Sequence, residues 1–258
     1  MASWTISFFI LMVGCCVGSF LNVCIYRVPR NLSIVSPRSF CPRCKTPVRA
    51  FDNIPLFSYL FLKGRCRTCR EKISWRYPLV EALTGGIVLA LFLRFDLSFS
   101  FFTFSVLSTA LIVITFIDLD HRIIPDIISL PGIAAGFLLA LFGPFMTVRD
   151  SLIGIIAGGG SLYAMAFIYE TLAKREGMGG GDIKLLAMIG AWLGWKAILF
   201  TLFFSSLSGT LIGGGAMLVQ RQGRHYAIPF GPFLALSAII YIFFGTQMID
   251  WYLGWGKF

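Results

Sequence analysis

The chain has 258 residues, 57% of them hydrophobic and 13% charged, with a mean hydropathy of +0.81 and a formal net charge of +10. A soluble domain of this length carries about 25% charged residues, so the composition excludes a water-soluble enzyme and points to an all-α polytopic membrane protein. The positive charge marks no nucleic-acid partner, because its distribution along the chain has another explanation.

Eight apolar stretches predict membrane spans near residues 5–26, 79–93, 98–117, 127–146, 151–173, 183–195, 197–219 and 228–247, the second and sixth being short. The first has no basic residue ahead of it and runs long, which reads as a retained helix rather than a cleaved signal peptide. With eight spans, alternate loops share a side. The 27–77 segment, Arg122 and the loops at 174–184 and 220–227 then collect 18 of the 22 Lys and Arg residues. Only Arg94, Arg149, Lys196 and Lys257 fall on the other side. This asymmetry predicts that the basic side is cytoplasmic and both termini are outside, with anionic membrane lipid as a secondary partner. The expected organisation is a first helix at 1–26, a small cytoplasmic domain at 27–77 and a membrane-embedded bundle at 78–258.

The 27–77 segment carries "CPRC" at 41–44 and "CRTC" at 66–69. Two C-x-x-C pairs at this separation predict a four-thiolate structural zinc site made of Cys41, Cys44, Cys66 and Cys69, with two disulfides as the alternative that a reducing cytoplasmic side disfavours. About 50 residues bury too little apolar surface to fold alone, so a metal staple makes physical sense there. Cys15, Cys16 and Cys24 fall in the first span and read as small core residues. Glu81 lies just inside the second span, where a carboxylate needs a partner. Arg76 and Arg27 are the nearest by side.

The third span ends "ITFIDLDHRIIPD", and the sixth is approached through "GMGGGDIKLL". Asp118, Asp120, Asp126 and Asp182 therefore project to the same side of the membrane. Intramembrane carboxylates mark function by default, and two that face one another can share a proton as in an aspartyl protease. Asp126 follows Pro125 and precedes an apolar run, so it reads as the N-cap of the fourth span. Asp118 and Asp120 point about 200° apart on a helix, and Asp118 is the deeper. The expected catalytic pair is Asp118 and Asp182. Gly177, Gly179, Gly180 and Gly181 clear side chains from the approach and let an extended substrate lie against the acids. A transporter or channel using the same aspartates as ion ligands is the alternative, but it leaves the four cysteines unexplained.

The segments "GSFLNVCIYRVP" (18–29), the paired cysteine knuckles, "NIPLFSYL" (53–60), "RYPLVEALTG" (76–85), "FIDLDHRIIPD" (116–126) and "GMGGGDIKLL" (177–186) resemble bacterial type IV prepilin peptidases. The resemblance implies an inner-membrane protein that cleaves the leader of prepilins and pseudopilins after a glycine on the cytoplasmic side. It also implies methylation of the new N-terminus with S-adenosylmethionine as donor. It assigns the catalytic roles to Asp118 and Asp182, and it links Gly64 and Arg65, just before the third cysteine, to methyl transfer.

Overall fold

A computed structural model describes residues 4–144, 146–174, 179–220, 229–245, 247–249 and 251. They form two compact units, Met1–Val113 and Ile114–Phe258, and each is built from helices.

The first unit contains α1 (Trp4–Arg27), a short α2 (Phe57–Phe61), α3 (Arg76–Phe95) and the first part of α4 (Phe99–His121). Helices in lipid gain nothing by hiding apolar side chains from one another, so close backbone packing at small residues drives their association. Gly14 and Gly18 of α1 provide that surface. A Cβ at Gly18 would lie 2.7 Å from Glu81 Cα, and one at Gly14 would lie 2.9 Å from Gly85 Cα, both on α3. The pair is pinned at one end where Asn22 Nδ2 donates to the Tyr77 carbonyl at 3.1 Å.

The second unit contains the end of α4, then α5 (Asp126–Phe142), α6 (Val148–Ala173), α7 (Gly180–Leu193), α8 (Trp195–Gln220) and α9 (Gly231–Ile240), which continues as a π-helical turn over Tyr241–Gly245. Helix α7 is the centre of this unit, with every residue from Leu185 to Trp192 buried. Again glycine permits the approach: a Cβ at Gly190 would lie 2.1 Å from the Gly154 carbonyl oxygen, and one at Gly158 would lie 2.5 Å from the Leu186 carbonyl oxygen. Two side-chain hydrogen bonds lock α7 in place, from Ser151 Oγ to the Ala191 carbonyl at 2.9 Å and from Trp192 Nε1 to the Gly132 carbonyl at 2.7 Å.

Helices occupy all eight apolar stretches, but among the described residues only five are long and apolar enough to cross a membrane. These are Trp4–Arg30, Arg76–Phe95, Phe99–His121, Val148–Ala173 and Trp195–Ile212. Eight full spans is therefore more than the structure supports. The second stretch, expected to be short, forms a 20-residue helix. The sixth is short, at 14 residues, and reads as apolar because protein encloses it rather than because it meets lipid. The outward faces of the long helices carry exposed Phe8, Phe9, Phe102, Val106, Ile156, Phe167, Leu199 and Phe203. Apolar surface on this scale belongs against lipid, as in a multi-pass membrane protein.

Candidate active site and metal centre

Helix α4 delivers Asp118 in its last turn. The helix stops at His121 because Arg122 adopts a left-handed conformation (φ 55°) and returns its N–H to the Asp118 carbonyl at 2.8 Å. The Asp118 side chain is 4% exposed, whereas Asp120, two residues on, is exposed. A buried carboxylate needs a donor, and Asp118 has one: its Oδ2 accepts the Gly231 N–H at 3.0 Å, from the first residue of α9.

Asp182 lies in the first turn of α7 and is half-buried. It is not the helix N-cap, a position taken by Gly179. It lies beside Asp118: a Cβ at Gly181, the residue before it, and one at Gly231, which holds Asp118, would both press on Ile124, at 2.9 and 3.2 Å. Two carboxyl groups on separate helices, 64 residues apart in sequence, are thus brought to one place within one unit.

The glycines ahead of Asp182 divide. Among the described residues, a Cβ at Gly179 or Gly180 would meet nothing within 4 Å, while one at Gly181 would lie 2.9 Å from Ile124 Cβ. Gly177 lies outside the described residues, as does His225.

Asp126 corrects one expectation. It is the first residue inside α5 rather than the N-cap, which is Pro125. Its carboxylate instead pairs with Lys184 Nζ at 2.7 and 2.8 Å, joining the start of α5 to the first turn of α7. Glu81 differs too. Its Oε2 accepts the Leu56 N–H at 2.8 Å, while Arg27 spends its guanidinium on the Ser33 and Pro37 carbonyls. Leu56 sits at φ 61°, so the carboxylate stabilises a turn that a non-glycine residue adopts at a cost.

The cysteines form two matching knuckles. In each, the residue after the second cysteine takes a positive φ (Lys45 59°, Arg70 60°) and returns its N–H to the carbonyl of the first, at 2.9 and 3.0 Å. The Sγ atoms of Cys41, Cys44, Cys66 and Cys69 lie within 4.8 Å of one another, with Cys41 to Cys69 at 3.7 Å and Cys44 to Cys66 at 4.0 Å. A tetrahedral cation holding thiolates at ~2.3 Å spaces its sulfurs at about 3.8 Å, so the residues fit such a metal. The distances are too long for disulfides, whose sulfurs stand ~2.05 Å apart. Hydrogen bonds from Thr46 hold the Cys44 thiol down at about 6, while burial and the neighbouring thiols push Cys69 up to about 12. Crowded sulfurs resist simultaneous ionisation until a cation offsets their charge. Arg67, inside the second knuckle, ties it to Asp52 through bonds of 2.6 to 3.1 Å.

Gly64 and Arg65 precede the third cysteine. Gly64 takes φ 64°, donates to the Tyr59 carbonyl at 2.8 Å and accepts from Ile73 N at 2.7 Å. A Cβ there would lie 2.9 Å from Tyr59 Oη. Arg65 forms a single antiparallel bridge with Lys72.

Comparison with known proteins bears directly on this arrangement. Residues 12–95 match the Bacterial Peptidase A24 N-terminal domain, and residues 105–214 match the Type IV leader peptidase family. The chain belongs to that family. The prepilin leader peptidase/N-methyltransferase of Aeromonas hydrophila is 38% identical over 274 residues, covering 97% of this chain and 94% of the relative. The Neisseria gonorrhoeae protein of the same name is 39% identical, with 94% and 93% covered, and that of Myxococcus xanthus is 45% identical, with 84% and 64% covered. No solved structure matches the chain.

The sequence offered no sign of Gly231. It lies 113 residues from Asp118 and beyond the 105–214 match, and its contribution is a backbone N–H that any residue except proline possesses.

Proposed function

We propose that this chain is a prepilin leader peptidase and N-methyltransferase, with Asp118 and Asp182 as its proteolytic pair. The observation that carries the reading is the buried Asp118 carboxylate, held by Gly231, with Gly231 and the Gly181 that precedes Asp182 both closing on Ile124 in the same unit. Two such carboxyls sharing one proton activate a water and polarise a scissile carbonyl together. An ion-conducting role for the aspartates has no support from the relatives and leaves the four cysteines without purpose.

In this reading the substrate is a prepilin or pseudopilin whose apolar helix lies in the bilayer, while its leader junction reaches the aspartates from the cytoplasm. The open turn at Gly179 and Gly180 suits an extended backbone. The basic loops support a cytoplasmic orientation for the cysteine domain. Zinc is the metal that four thiolates in paired knuckles suit best, and its role is structural because no position is left open for a reactant. S-adenosylmethionine supplies the methyl group for the new N-terminus. Gly64 and Arg65 are linked to that second reaction by resemblance, and the Tyr59 contact supports a shape requirement at Gly64.

The test is one digestion of a purified prepilin, with and without S-adenosylmethionine, followed by mass. The wild type is expected to remove the leader and then add one methyl group only when the donor is present. Asp118→Asn and Asp182→Asn are each expected to abolish cleavage while remaining folded. Cleavage that survives either change removes that residue from the pair.

A further inference from the structure

We propose that Gly231 is a positioning residue for the reaction: its N–H fixes Asp118 as the carboxylate that activates water, leaving Asp182 to carry the proton given to the scissile carbonyl. The inference rests on the protease reading above and assigns unlike tasks to the two acids.

Three observations support it. The Gly231 N–H heads α9, is followed by Pro232, and makes a buried bond to Asp118 Oδ2 at 3.0 Å. The first amides of a helix have no intrahelical acceptor and favour an anion in front of them. Among the described residues no backbone N–H donates to the Asp182 carboxylate in the first turn of α7. Asp182 lies at the start of α7, whereas Asp118 ends α4 but faces the start of α9; among the described residues only Asp118 receives a direct amide, and a hydrogen bond to a charged acceptor outweighs a helix dipole at similar range. Finally, the space is shaped for this. A Cβ at residue 231 would lie 2.7 Å from Asp118 Oδ2 and 3.2 Å from Ile124 Cδ1, and a Cβ at residue 181 would lie 2.9 Å from the same isoleucine. Ile124 is buried between the starts of α7 and α9, so the two glycines let both helices close on one wedge beside the two aspartates.

The step balances with these groups alone. Asp118 takes a proton from water as the water oxygen bonds to the carbonyl carbon, and Asp182 gives its proton to the carbonyl oxygen. On collapse the C–N bond breaks, Asp118 returns its proton to the leaving nitrogen, and Asp182 recovers one from a hydroxyl of the tetrahedral centre. Both acids end as they began. With one oxygen of Asp118 tied to Gly231, the other is the oxygen free to face the water.

Two measurements on the full-length protein test this. Gly231→Ala forces Asp118 aside and is expected to lower kcat on a prepilin by about 100-fold, the cost of an ångström-scale displacement at a reacting group, with KM and thermal midpoint near wild type. Adding Ile124→Val to Gly231→Ala removes the contact with Ile124 Cδ1 but not the one with Asp118, so activity is expected to stay low. Recovery in the double variant would show that Ile124 packing alone was at fault and would overturn the proposal. So would wild-type kcat in Gly231→Ala. The second measurement does not depend on how the glycine variant folds. Infrared spectra at neutral pH are expected to retain the protonated-carboxyl band of the pair in Asp118→Asn and to lose it in Asp182→Asn; any other pattern refutes the division of roles. A wild type that leaves the prepilin uncut would instead defeat the protease reading, a separate outcome.

Discussion

Replacing Gly190 by alanine tests the way the second unit holds Asp182. The new Cβ would lie 2.1 Å from the Gly154 carbonyl oxygen and 2.4 Å from its carbon, and these are backbone atoms that no rotamer change can move. Ordinary contact begins near 3.4 Å, so α6 and α7 must part by about 1.3 Å at this level. Overpacking of a tight core costs roughly 1–3 kcal/mol, and backbone-to-backbone contact places this change at the upper end. Because α7 carries Asp182, the same displacement reaches the acid pair, where a shift of about 1 Å costs on the order of 100-fold in rate. The assay is thermal unfolding in detergent beside prepilin cleavage, with Gly160→Ala as control, since a Cβ there would meet nothing within 4 Å. The reasoning fails if Gly190→Ala unfolds with the wild type and cuts at full rate. It fails equally if the control is damaged as much.

Three further outcomes are expected. Metal binding at Cys41, Cys44, Cys66 and Cys69 requires four thiolates, so acidification should release the metal as the thiols regain protons, and a chelator should do so at neutral pH; a thiol-reactive dye counts the freed cysteines, and an unchanged count after chelation would refute a four-cysteine site. The Arg67 bond holds the Asp52 carboxyl below the usual carboxylate range, so that pair contributes above the unfolded value and is lost only as pH falls through the lowered one. Asp52→Asn should therefore speed metal loss at neutral pH, whereas acid alone should strip the metal before the pair opens; metal release unaltered by the substitution would contradict this. Lys184→Met removes an exposed ion pair with Asp126, worth at most ~1 kcal/mol. The thermal midpoint should barely change while prepilin cleavage falls several-fold because the first turn of α7 loosens, and a variant with wild-type kcat would show that the pair does not steady Asp182.

What could be read from the sequence was whatever is written locally. The cysteine knuckles are set by short spacings and by the turns at Lys45 and Arg70, so their residues come together as expected. The eight apolar stretches became helices because a run of such residues has no better way to satisfy its backbone in lipid. Span number was less legible, because hydropathy cannot tell a helix that faces lipid from one enclosed by protein, and α7 is enclosed. Errors arose where a side chain's partner came from a distant segment. Asp126 had the context of a helix cap, yet Lys184, 58 residues away, claims its carboxylate. Glu81 was matched to a nearby cation, but the turn at Leu56 supplies its donor. Gly231 was missed for the same reason, and because a backbone amide leaves no mark on residue type.

These distant partners share a physical logic. A charged or polar group placed in a low-dielectric bundle must be engaged, and a bond to backbone engages it at a fixed position without introducing a second charge that also needs a partner. Glu81 and Arg27 in the first unit and Asp118 in the second are all engaged this way. Among the described residues, Asp182 is the exception. It sits half-buried in a turn whose preceding glycines, Gly179 and Gly180, face open space. Packing among the described residues does not explain why those two positions lack side chains, since alanine would fit both there. In the proposed reaction the explanation comes from outside the chain, because an extended peptide laid along that turn needs the room that two Cβ atoms would occupy. The held acid and the open acid are then two parts of one arrangement. Asp118 is oriented before the substrate arrives, and Asp182 stays accessible on the side from which it comes.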